Sequence, residues 1–68
     1  MTIEQIGNII KNRRKELKIT QSYLAELVEL NERTITRLER GQSNPSFEVL
    51  LKLSDVLGLE FNLQVKKV

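Results

Sequence analysis

The chain has 68 residues, a formal net charge of +2, and neither cysteine nor histidine. That length allows a single domain around one core, and the missing residue types exclude a disulfide framework and leave a metal few good ligands. A core this small is marginal unless a disulfide, a metal or another subunit supports it, so a partner subunit is the device this composition leaves open.

Thr2 followed by Gln5 fits a capping box and predicts a first helix beginning at Ile3. Ile3, Ile6, Ile10, Arg14 and Leu17 recur at helical spacing and share one face. Lys18 and Ile19 form a short connection, and Thr20 is placed to cap a second helix over residues 21–28. Glu29, Leu30 and Asn31 make a turn. Asn31 then caps a third helix over residues 32–40, which Gly41 stops in a left-handed conformation. After a polar loop, Ser46 caps a fourth helix over residues 47–57, ended by Gly58.

Residues 59–66, LEFNLQVK, alternate apolar and polar with a period of two, which predicts a half-buried strand. A lone strand leaves its backbone groups unpaired, and pairing across a two-fold axis lets the same edge serve two copies. Burying Phe61, Leu63 and Val65 would contribute about 1.5–3 kcal/mol each before the cost of ordering the tail. On the fourth helix Leu50, Leu53, Ser54 and Leu57 form one stripe, while Val49, Leu51 and Val56 lie off it. Apolar residues on more than one face suggest burial on more than one face. The expected dimer interface is therefore Val49, Val56, Phe61, Leu63 and Val65.

Residues 20–46 carry the functional signal. The second helix turns Leu24, Ala25 and Val28 inward, and the third turns Ile35 and Leu38 inward. Glu32, Arg33, Thr36, Arg37 and Arg40 are left projecting outward. Two short helices with a small residue where they cross, and a polar, arginine-bearing outer face on the second of them, suit insertion into a DNA major groove. Lys11, Arg13, Arg14, Lys15 and Lys18 cluster ahead of this segment, and Lys66 and Lys67 follow it; a solvated surface is the plain alternative for such clusters. No apolar run approaches the roughly 18 residues of a spanning helix, and no signal-peptide pattern follows Met1, so the expected setting is cytoplasmic, away from membranes.

Thr20-Gln21, Leu24-Ala25, Ile35, Leu38-Glu39-Arg40-Gly41, Asn44-Pro45-Ser46 and the run from Leu50 to Gly58 together resemble the Cro/cI/Xre-type helix-turn-helix domain of bacterial and phage repressors. The trailing strand, with Thr20-Gln21-Ser22 opening the second helix, further resembles HipB-type antitoxins, in which the C-terminal strands of two subunits pair. This resemblance implies an all-α, lambda-repressor-like DNA-binding domain of four to five helices over residues 1–58. Residues 59–68 would follow as a β-strand that pairs across a dimer. It also implies base reading by Glu32, Arg33 and Arg37, with Thr36 between them reaching a base methyl or a phosphate. Arginine can fork onto guanine and glutamate can accept from cytosine, although Glu32 can equally serve only the helix N-terminus. Gln21 corresponds to a phosphate clamp, joined by Ser22, Arg40, Gln42 and Asn44; ordinary loop solubility is the alternative for Gln42 and Asn44. Arg14 and Glu39 correspond to a partly buried ion pair between the first and third helices. One position departs from the family: Glu29 stands where many members have glycine, which implies backbone strain there or a different turn.

The leading expectation is a regulator, most simply a repressor, that binds an inverted repeat in double-stranded DNA as a homodimer. The alternative from another class is an antitoxin that also binds a cognate toxin protein. An enzyme is not expected, because no nucleophile–base pair, phosphate-cradling glycine loop or paired carboxylates stand out. No cofactor and no metal are expected. RNA suits the motif less well, since the A-form major groove is deep and narrow.

Overall fold

The structure is a computed structural model that describes residues 1–66. Lys67 and Val68, part of the expected strand and of the C-terminal basic pair, lie outside the described residues. Helices α1 (Ile3–Glu16), α2 (Gln21–Leu27), α3 (Glu32–Glu39) and α4 (Phe47–Leu57) follow in chain order. Each begins where a short polar side chain can accept from a free backbone N–H. Thr2 and Gln5 form the reciprocal box, at 2.8 and 3.1 Å. Thr20 accepts from the Tyr23 amide at 3.0 Å, Asn31 from Thr34 at 3.1 Å and Ser46 from Val49 at 3.2 Å.

The helix ends follow one rule. A residue with left-handed backbone is followed by an amide that bonds back to a carbonyl of the last turn, satisfying groups the helix leaves open. These bonds are Ile19 to Arg14 (3.3 Å), Leu30 to Ala25 (2.9 Å), Gln42 to Arg37 (2.9 Å) and Leu59 to Ser54 (2.8 Å). Gly41 and Gly58 take the left-handed position after α3 and α4, but Lys18 and Glu29 take it after α1 and α2, with φ of 58° and 57°. The turn at Glu29 thus keeps the geometry that favours glycine without having one. The second and third helices each end one residue earlier than expected, because Val28 and Arg40 serve as caps.

Ile10, Leu24, Ala25, Val28, Ile35, Leu38, Leu53 and Leu57 form the buried core, with Ile6, Ile19, Leu30, Val49, Leu50 and Leu59 packed around it. Gly7 sets how closely α1 approaches α3. A Cβ there would lie 3.0 Å from the Glu39 carbonyl oxygen and closer still to that of Leu38. Arg13, grouped with the basic cluster by sequence, donates its Nε to the Leu57 carbonyl at 2.7 Å and so caps α4 from α1.

The expected C-terminal strand requires a second copy to pair with, and the single chain does not form it. Residues 59–66 have no regular secondary structure. A strand needs a neighbouring edge, and every regular element among the described residues is a helix. The tail instead runs beside α1 and α4, where the Phe61 ring stacks obliquely on Phe47 with centroids 5.6 Å apart. Met1, Ile6, Ile9, Leu50, Phe61 and Leu63 line an apolar groove between these elements. Leu63 and Val65 are 100% and 96% exposed.

Candidate nucleic-acid interface

α3 is amphipathic along its whole length. Ile35 and Leu38 are fully buried, and Glu32, Arg33, Arg37 and Arg40 are exposed. The exposed face therefore carries the guanidinium groups of Arg33 and Arg37 and the Glu32 carboxylate, with the Arg40 guanidinium at the cap, on a rod that cannot rotate without exposing its aliphatic anchors. Arg33 and Arg37, with Asn31, Thr34, Gln42, Ser43 and Asn44, line an open cleft between α3 and the loop that leads to α4. Arg37 Nη2 lies 3.3 Å from the Gln42 carbonyl oxygen, which ties that loop to the helix. Ser43, which the sequence did not single out, has a buried hydroxyl with no partner among the described residues.

The opposite flank of α3 is locked to α1 and α2. Arg14 donates Nε to Glu39 Oε2 at 2.7 Å and Nη2 to Oε1 at 3.0 Å, while Nη1 bonds the Ile19 carbonyl at 2.8 Å. The Glu39 hydrogen bond holds the Arg14 pKa above its ordinary value, against the opposing effect of burial. Gln21 Nε2 donates to Glu39 Oε1 at 3.0 Å, and Thr36 donates to Gln21 Oε1 at 2.7 Å. Two residues expected to meet DNA are therefore engaged inside the protein: Gln21 and Thr36 are both half-buried. Ser22, Gln42 and Asn44 are exposed.

Of the residues expected at a dimer interface, Val49 packs against the chain's own core. Val56 lies on the other flank of α4, lining a shallow cleft with Leu27, Val28, Glu29, Lys52 and Asp55. Phe61 and Leu63 border the groove described above. No described helix is long and apolar enough to cross a membrane.

The helix-turn-helix family matches residues 10–64. Among similar proteins, the transcriptional regulator DicA of Escherichia coli is 42% identical over 52 residues, covering 76% of this chain and 38% of DicA. Repressor protein C2 of Salmonella phage P22 is 39% identical over 57 residues, covering 84% of this chain and 26% of the repressor. The chain spans only 16% of the length of a similar HTH-type transcriptional regulatory protein of Methanococcus maripaludis. A chain of the HipA-HipB-O2-O3 complex superposes with a TM-score of 0.84 at 27% identity, covering 98% of this chain and 94% of that one. With its caps, buried anchors and helix order, this chain belongs to the Cro/cI/Xre-type helix-turn-helix family.

Proposed function

We propose that the protein is a transcriptional regulator that binds double-stranded DNA through α3 and acts as a repressor. The observation that carries this reading is the division of α3, with Ile35 and Leu38 buried and Arg33, Arg37 and Arg40 exposed. Arg33 and Arg37 read base edges, and Glu32 accepts from a cytosine or stabilises the helix start. Arg40, Ser22, Gln42 and Asn44 hold phosphates, which orient the protein without reporting sequence. The similarity to a phage repressor supports repression.

The functional unit is a homodimer. Its support is the apolar groove beside the tail and the bare side chains of Leu63 and Val65. In the dimer the tails of two copies meet, covering Phe61, Leu63 and Val65. The two α3 helices then enter successive major grooves, about 34 Å apart, on an inverted repeat. Selection from a random duplex library tests this reading: it should return a two-fold sequence whose affinity falls steeply with salt. A library that yields no enriched sequence, or binding that ignores salt, would count against it.

A second reading is supported by the similarity to a chain of the HipA-HipB-O2-O3 complex. In it the protein also binds a partner polypeptide, as an antitoxin binds its toxin, and regulates its own operon. Co-expression with the product of the adjacent gene separates the two, since a repressor alone elutes without a second chain.

A further inference from the structure

Thr36 lies on α3 between Arg33 and Arg37, but its hydroxyl faces α2. Thr36 Oγ1 is 2.7 Å from Gln21 Oε1 and 3.1 Å from the Glu32 carbonyl oxygen. Both are acceptors and a hydroxyl has one proton, so the nearer amide oxygen takes the larger share. The far end of the Gln21 amide is set independently. Its nitrogen lies 3.0 Å from Glu39 Oε1, and an ionised carboxylate only accepts. The NH2 group must therefore face Glu39, leaving the carbonyl to face Thr36. Glu39 is itself clamped by both Nε and Nη2 of Arg14. Donor to acceptor, the hydrogen bonds lead from Thr36 to Gln21 to Glu39, and from Arg14 to Glu39, joining α1, α2 and α3.

We propose that Thr36 reads no base and is instead a positioning residue that locks the Gln21 amide for a DNA phosphate. This rests on the DNA-binding reading above. Glu39 uses one of the two amide protons of Gln21, and the second remains for a phosphate oxygen. A glutamine held from both ends loses little further rotamer freedom on binding, so the contact forms at lower entropic cost. Without the Thr36 hydroxyl, the Gln21 carbonyl is released and the amide can swing.

The test compares Thr36→Val, Thr36→Ser, Gln21→Ala and the Thr36→Val/Gln21→Ala double variant on the selected duplex and on its single-base-pair variants. Thr36→Val should weaken binding about fivefold per half-site on every duplex alike. Thr36→Ser, which restores the hydroxyl, should recover that loss, and the double variant should bind no worse than the weaker single variant. Thr36→Ala serves the same comparison if valine does not fold. A changed preference at one base-pair position, losses that multiply in the double variant, or unchanged affinity in Thr36→Val would each overturn the proposal. A wild-type chain that binds no duplex would instead overturn the DNA-binding reading beneath it.

Discussion

Arg14 closes on Glu39 through paired hydrogen bonds of 2.7 and 3.0 Å, with side chains only 11% and 2% exposed. At that burial, deleting one partner strands the other charge. Arg14→Ala or Glu39→Ala should therefore cost about 3–5 kcal/mol, most of what so small a core supplies. Replacing both together, as Arg14→Met with Glu39→Leu, should recover much of the loss because no charge is left unpaired. Urea unfolding of the three variants checks this. Single variants that lose less than about 1 kcal/mol would mean the pair behaves as a solvated one.

Lys18 and Glu29 hold the left-handed backbone that glycine holds after α3 and α4. A non-glycine residue there carries strain of about 1 kcal/mol or more, while glycine gives some of that back through a freer unfolded chain. Lys18→Gly and Glu29→Gly should each leave the melting temperature unchanged or raise it by a few degrees. A clear fall in either melt would contradict the turn geometry.

Gly7 presents the opposite case. The atoms that a methyl group would meet are backbone oxygens of α3, which cannot move aside as a flexible side chain can. Gly7→Ala should destabilise by about 1–3 kcal/mol despite alanine's better helix propensity, and it should shift α3 relative to α1. Chemical denaturation measures the first effect, and amide shifts along α3 report the second.

Leu63 is fully exposed in the single chain, so a charge there should not disturb the fold of one copy. Leu63→Asp should keep the helical circular-dichroism spectrum. It should also shift the protein from dimer to monomer by light scattering and weaken binding to the two-fold site. A variant that stays dimeric would move the subunit contact away from the tail.

Much of this fold is legible because its signals are local. A short polar residue before each helix marks its start, and the 3.6-residue spacing of aliphatics marks its buried side, so α1 to α4 follow closely from the chain. What escapes is set by contacts between distant segments. Gly7 looks like an ordinary helix interruption until α3 lies against it, and Arg13 looks like surface charge until its Nε meets Leu57. Thr36 sits at the edge of the exposed face, where periodicity cannot tell a groove-facing hydroxyl from one turned toward α2. Alternation in residues 59–66 likewise reports which side chains would share a strand face, but not whether an edge is there to pair with.

The most direct measurement is base-resolved footprinting on DNA upstream of the chain's own gene, comparing the wild type with Arg33→Ala and Arg37→Ala. The wild type should protect an inverted repeat. Each substitution should cost about 1–3 kcal/mol and relax preference at one base position per half-site. Full protection and unchanged preference in both variants would contradict the assignment of α3 as the reading helix.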